Sequence, residues 1–450
     1  MGILDPKPPT RAELSATYAQ QWKANTAYAA GQPVVNPSGD VVTAKTAFTS
    51  GASYDPTKWN LSGSYATPAA VAAKADSAAV GLATKVGAFS FGGGGGASSV
   101  TTISEMIIRM PFRLPVKPTR ARLHIQNRNL KDNLGLTAGA FNFTGVWLGK
   151  PVVDSVGALT PGFTAAPTKI LNAFSTPADG SEYVSAWIDT TAILEAKTDY
   201  LISYGYTCTA GQTTHRATGF HWWSNVAGDA AKAGNQAMVG TVTNNQSPHL
   251  DVWIEYEFAA VNPVNLYVGD SLTDGQRALY GTRDSYPQMH SRRTGAVAVV
   301  LAFSGSSLSP GWDTTSPKYG KYPGMTFNAM YVHLGTNDIN AGADLATVQA
   351  RLGVTLGKLR ATYGDVPVYL GIVPPRNFAA GPEAVRVSYN TWLRTLPFNA
   401  TGTMDFDRAV RSASNLAVID ADFDGGDGTH MNTGGYDKFA QAVPLRVAVG

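Results

Sequence analysis

A chain of 450 residues is too long for one ordinary core and sets an expectation of about three domains. Charged residues make up only 15%, and the formal net charge is +3 without a lysine or arginine cluster, which argues against nucleic acid and anionic membrane as partners. The single cysteine, Cys208, excludes an intrachain disulfide and a cysteine zinc site.

The start, "MGILDPKPPTRAEL", lacks the apolar core of a signal peptide, and the longest purely apolar run, 296–303, is too short to cross a bilayer. The expectation is a soluble chain with no membrane insertion, reaching the outside by cell lysis. Residues 1–21 read as a proline-rich, weakly helical arm. Over residues 22–62 short β-type runs alternate with turn signals, and aromatics recur at Trp22, Tyr28, Phe48, Tyr54 and Trp59. That pattern resembles the small chitin-binding-type carbohydrate modules that many phage tail proteins carry. The resemblance implies Trp22 and Trp59 as glycan-binding candidates. The plainer reading, a core for a tiny β unit, is favoured for most of these aromatics.

Residues 63–98 read as an alanine-rich helix, drawn over 66–87, and a glycine-rich linker. Val71, Ala75, Ala78, Leu82 and Val86 form a thin heptad-like stripe, suited to a short parallel bundle between subunits. A homotrimer is the expectation drawn from that stripe and from tail-protein analogy. Gly92 to Gly96 mark a hinge and a domain boundary.

Residues 99–259 alternate apolar and polar positions between turn-rich segments, as in an all-β, jelly-roll-like sandwich. Within "GFHWWSN", Trp222 and Trp223 face opposite sides of any strand they occupy. One then packs inward, and the other is a sugar-stacking platform or, as favoured, is covered by a loop.

Residues 260–450 change to buried-type strands separated by helices: "NLYVG", "AVAVVLAF", "AMYVHLG", "PVYLGIVP" and "LAVID". Leu345, Val348, Leu352, Leu356 and Leu359 share one helical face, a second helix opens near Pro382, and a last one follows Asn432. Continuous apolar strands alternating with helices imply a parallel sheet covered on both faces, whose sites gather at the carboxyl ends of its strands.

Four short stretches fall at such ends: Gly269-Asp270-Ser271, the loop with Gly305, Gly335-Thr336-Asn337-Asp338, and Asp427-Gly428-Thr429-His430. A serine hydroxyl is a poor nucleophile and needs a base such as histidine, which in turn needs a carboxylate. Ser271, His430 and Asp427 supply those parts. The N–H groups of Ser271 and Gly305 and the amide of Asn337 suit an oxyanion. Ser271 as a mere helix cap, and His290 or His333 as the base, are the competing readings, and His333 inside a buried strand is better read as a core histidine. Asp270 and Asp338 are expected to hold loops. The run Asp420 to Gly425 imitates a calcium loop, but position twelve is Met431 in place of glutamate, so a solvated acidic loop is favoured over a metal site.

Residues 262–450 resemble the SGNH hydrolases, the GDSL-type esterases, on all four blocks: Ser271, Gly305, Asn337 in "GTND", and Asp427 with His430 in "DGTH". The resemblance implies a flavodoxin-like α/β/α fold, no cofactor, and hydrolysis of lipid, short-acyl or acetylated-carbohydrate esters. With the arm, stalk and hinge layout, the expectation is a virion-borne esterase acting on a cell-surface polysaccharide beside other tail proteins. A structural, receptor-binding tail protein and a lipid-directed esterase are the alternatives.

Overall fold

The computed structural model describes residues 20–30, 32–37, 40–64, 84–92, 99–100, 103–130, 134–136, 138–238, 243–248, 250–259 and 262–444. The chain divides into two compact units, Met1–Leu82 and Ala83–Gly450. Residues 1–19 of the expected arm, most of the alanine-rich helix and Gly93 to Gly96 lie outside the described residues, while Gln20–Gln21, the end of that arm, form a short strand. Residues 84–87, the end of the expected helix, are instead in a strand.

In the first unit, Pro33–Val35, Asp40–Ala44 and Trp59–Ser64 build an antiparallel sheet, with Gln20–Gln21 parallel at its edge. Alternation puts Val34, Val42 and Ala44 into one small core with Tyr28 and Trp59.

The second unit begins with β1 (Thr84–Ser90), followed by β2 (Glu105–Arg113), β3 (Arg120–Gln126), β4 (Phe141–Gly149), β5 (Asp199–Cys208), β6 (Thr214–Ser224) and β7 (Asp251–Ala259). These strands form two antiparallel sheets. One runs Tyr183–Val184, β3, β7, β1; the other runs Thr168–Leu171, β4, β5, β2, β6, Thr243–Pro248. Their inward side chains share a core, in which Phe89 of β1 lies 5.9 Å from Phe112 of β2.

The remainder comprises β8 (Val264–Gly269), α1 (Ser271–Asp274), α2 (Tyr286–Thr294), β9 (Val297–Ala302), β10 (Ala329–His333), α3 (Thr336–Asn340), α4 (Leu345–Tyr363), β11 (Val368–Gly371), α5 (Ala380–Leu393), β12 (Gly402–Met404), α6 (Phe406–Val410) and α7 (Thr433–Ala442). The five strands are parallel, in the order β9, β8, β10, β11, β12. The expected fifth strand, "LAVID", is not one: Ile419 makes a single bridge to Arg411, Leu416 is exposed, and β12 takes its place.

Period-two alternation sends Val264, Leu266 and Val268 to one face of this sheet, into the core of the antiparallel sheets. Val348, Leu352, Leu356 and Leu359 of α4 join them there. Tyr267, Tyr331 and Tyr369 face the other way, onto Tyr286, Phe406 and Phe439. α4 is capped by Asp344, which accepts from the Thr347 N–H at 2.8 Å, and ends at Gly364. Asn432 caps α7 through the Gly435 N–H at 2.9 Å. β8 has the next strand on one side and the one after it on the other, so its carboxyl end is the switch point where sites gather in such sheets.

Candidate active site

β8 stops because Gly269 lies directly under the next turn. A Cβ there would sit 2.0 Å from Thr273 Oγ1, so only glycine lets the chain fold back this tightly. Asp270 is the cap of α1: its Oδ1 accepts from the Leu272 N–H at 3.0 Å. Ser271 is therefore the first helical residue and not the cap, and its own N–H has no acceptor within the helix.

Ser271 is 5% exposed, and its hydroxyl lies 2.8 Å from His430 Nε2. His430 Nδ1 lies 2.8 Å from Asp427 Oδ2. Asp427 Oδ1 also accepts the N–H groups of Thr429 (3.0 Å) and His430 (2.8 Å), so the three-residue turn fixes acid and base together. Burial pushes the Asp427 carboxyl up, but the His430 side chain and backbone outweigh it and hold the group at about 2. His430 is held below the usual histidine range, chiefly by burial; Asp427 opposes this, and the charges of Arg376 and Arg277 add to it. The imidazole is then neutral at pH 7, with Nδ1–H toward Asp427 and Nε2 open to take the serine proton.

The expected oxyanion donors stand at the ends of β8, β9 and β10. Gly305 has a φ of +77, which a side chain would strain. Its turn is tied to the next block, since Asn337 Nδ2 donates to the Ser306 carbonyl at 2.9 Å. One amide hydrogen of Asn337 remains for a substrate. Asp338 holds the same loop: Oδ2 accepts from the Leu308 N–H at 2.7 Å and Oδ1 from Arg351 at 2.8 Å.

The competing bases lie elsewhere. His290 is buried against the Tyr267 hydroxyl at 2.7 Å, and burial takes it down to about 4. His333 packs 4.8 Å from Phe406, and burial takes it to about 3. In the acidic loop, Asp420 and Asp424 accept backbone N–H groups of their own turns.

Each of the four tryptophans packs within its own unit. Trp59 is 5% exposed, stacked on Tyr54 within the first unit's core, so it has no face for a sugar. Trp22 is half-buried, edge-on to Tyr54. Trp222, also 5% exposed, packs with Leu159, Phe163 and Tyr280, so as a platform it too is ruled out. Trp223 packs against the core between the antiparallel sheets.

Two arginines at the site escaped sequence reasoning. Arg277 reaches Asp427 Oδ2 with Nε at 3.2 Å, from a backbone φ of +72. Arg376, in "PPRNF" beyond β11, contacts Thr336 Oγ1 and Asn337 Oδ1, both at 3.4 Å. The position of Arg376 after a strand was a usable signal; nothing in the sequence marked Arg277.

Residues 267–438 match the model of the GDSL-like Lipase/Acylhydrolase family. No curated protein matches the chain. Similar solved structures include a family two carbohydrate esterase from Clostridium thermocellum in complex with cellohexaose, with 14% identity and a TM-score of 0.33, over 79% of this chain and 97% of that one. A family two carbohydrate esterase from Cellvibrio japonicus has 13% identity and a TM-score of 0.33, over 80% and 96%. A member of the lipolytic protein G-D-S-L family from Veillonella parvula has 16% identity and a TM-score of 0.31, over 40% and 94%. The carboxyl-terminal part of this chain carries a GDSL-like lipase/acylhydrolase domain.

Proposed function

We propose that the chain is a serine esterase that removes acetyl or other short acyl groups from a cell-surface polysaccharide, as part of a virion tail. The observation that carries the chemistry is the relay from Ser271 Oγ to His430 Nε2 and from His430 Nδ1 to Asp427, each 2.8 Å. Ser271 Oγ attacks the acyl carbon while its proton passes to His430 Nε2. The oxyanion takes hydrogen bonds from the Ser271 and Gly305 N–H groups and from Asn337. Collapse breaks the ester bond, and the alcohol leaves with the proton from His430. Water then gives its proton to His430 and attacks the acyl-enzyme; the carboxylic acid departs and Ser271 regains its proton. No cofactor takes part in these steps.

The parallel sheet is read as the flavodoxin-like layer of the hydrolase, from its strand order, and the paired antiparallel sheets as a jelly-roll-like sandwich. The β unit of residues 22–62 is read as a carbohydrate-holding module, with Trp22 its remaining candidate contact, and the assembly as a homotrimer among other tail proteins. Light scattering giving a monomer mass would remove the trimer.

The test is hydrolysis of p-nitrophenyl esters and release of acetate from acetylated host glycan. Ser271→Ala is expected to lower kcat by about a thousandfold or more. Unchanged turnover in that variant sinks the mechanism. A preference for long acyl chains over acetyl would move the substrate class to lipids.

A further inference from the structure

Most arginines around the parallel sheet have a carboxylate. Arg351 meets Asp338 at 2.8 Å, Arg386 meets Asp407 at 2.6 Å, and Arg277 meets Asp427 at 3.2 Å. Arg376 has none within 4.0 Å among the described residues. Only its Nη1 is engaged, by the two long contacts to Thr336 and Asn337. Nε and Nη2 make no hydrogen bond among the described residues, and neither is a buried orphan, so this edge of the guanidinium opens to solvent.

The side chain is nevertheless well placed. Its loop is pinned to the triad turn, because the Asn377 N–H donates to the Gly428 carbonyl at 3.1 Å. The space a Cβ on Gly428 would take is filled by the Asn377 amide. The guanidinium stands 5.4 Å from the Phe378 ring and is half-buried. Holding a cation there without an anion costs free energy that a bound anion would recover. A planar pair of N–H donors fits a carboxylate in bidentate fashion.

The position selects which part of a substrate it meets. Arg376 touches the acceptor end of Asn337, whereas the donor end of that amide turns to Ser306. A group on the free edge of Arg376 therefore lies beside the reacting ester and not at the oxyanion. The negative charge of Asp427 also acts on Arg376, which disfavours a dianion such as phosphate.

We infer that Arg376 forms a carboxylate-binding subsite, and that the ester attacked by Ser271 is carried on an acidic sugar, an acetylated uronic acid. This rests on the esterase reading above. Arg277, exposed beside Asp427, adds positive charge near the same site.

The experiment compares kcat/KM, by acetate release, for an O-acetylated methyl glucuronoside and for the same sugar with its carboxylate masked as a methyl ester. A second pair, p-nitrophenyl hydrogen succinate and p-nitrophenyl butyrate, places the carboxylate in the acyl half. Wild type is expected to favour the free glucuronoside at least about tenfold, chiefly through KM, with the preference falling as salt is raised. Arg376→Gln is expected to bring the ratio below about threefold, and Arg376→Lys to leave an intermediate one, since a point charge replaces the fork. A preference confined to the succinate pair overturns the uronic acid and assigns the carboxylate to the acyl group. Equal efficiency within both pairs in wild type, or a preference that survives Arg376→Gln, overturns the subsite and leaves the esterase standing. Failure of wild type on all four esters overturns the esterase reading and the subsite with it.

Discussion

Asp270 and Asp427 flank one nucleophile under opposite electrostatic conditions. Asp427 is tied by donors and stays ionised, whereas burial lifts Asp270 to about 7, against the Leu272 N–H and the charge of Arg376. Asp270 Oδ2 has no hydrogen-bond partner among the described residues. A carboxyl raised in the folded state keeps a proton that the unfolded chain has already released. Its contribution to stability therefore falls as pH rises from about 4 to about 7, and stays lost above that. Asp270→Asn keeps the acceptor for Leu272 and removes the charge. It is expected to melt higher than wild type at pH 8, with the gain shrinking toward pH 5; a gain independent of pH would contradict the assignment. His430 gives a second pH prediction. Because its pKa is lowered, the unprotonated base persists below pH 6.5, and the acid limb of kcat/KM is expected there. Arg277→Gln removes one of the charges that lower it, so the limb should move to higher pH. The serine, histidine and aspartate were legible because acyl transfer needs those groups in a fixed relation. Arg277 was not, and for Arg376 only its place after a strand was, since a guanidinium in a loop reads the same whether it is paired or free.

At the scale of elements, regular periodicity carried well and irregular backbone carried poorly. The stripe of α4 is buried as its spacing implies at Val348, Leu352, Leu356 and Leu359, at 0–1% exposure, while Leu345 at its start is half-buried against the same core. β8 and β9, apolar runs at this end of the chain, are buried along their whole lengths. "LAVID" has the same composition as a strand and is a loop, while β12, only "GTM", has none of the signal and completes the sheet. Pairing partners decide such short segments, and pairing is not written in local composition. The end of β8 gives the test at this scale. Gly269→Ala forces a Cβ against Thr273, at a typical overpacking cost of about 1–3 kcal/mol. The strain falls on the turn that presents Ser271. Turnover of p-nitrophenyl acetate is therefore expected to fall at least about tenfold, in protein that still melts cooperatively. Wild-type turnover would show that the turn tolerates the methyl group.

Across the whole second unit, the boundary expected at residues 259–260 is not a division between separate cores. Residues 83–450 form one compact unit, and the core of the antiparallel sheets runs into one face of the parallel sheet. β1 lies between them: a Cβ on Gly87 would meet Val297 of β9 at 2.8 Å. Periodicity shows that both faces of a strand are covered, but not what covers them, and so two halves that each satisfy the pattern looked independent. A buried ion group fastens the same junction. Asp251 of β7 takes Lys321 at 2.6 Å and Arg128 at 2.7 Å, and Lys321 also reaches Ser90 of β1 at 3.2 Å. Burial pushes the Asp251 carboxyl up, yet Lys321 and Arg128 outweigh it and hold it at about 2. A carboxyl lowered in this way contributes stability in full above about pH 4, and loses it as pH falls toward 2. Asp251→Ala leaves Lys321 buried without its anion, at a typical cost of about 3–5 kcal/mol. If the junction is a shared core, that loss lowers the melting of the whole unit in a single transition, including the hydrolase sheet that Asp251 does not belong to. A chain cut to begin at Asn262 should go further, exposing Val297, Val299 and Leu301 on the uncovered face and binding a hydrophobic dye. Esterase activity lost at the same temperature as the β-sheet signal, in wild type and in Asp251→Ala alike, supports one core. Two separate transitions within residues 83–450, with activity surviving the first, would restore the boundary that the sequence drew.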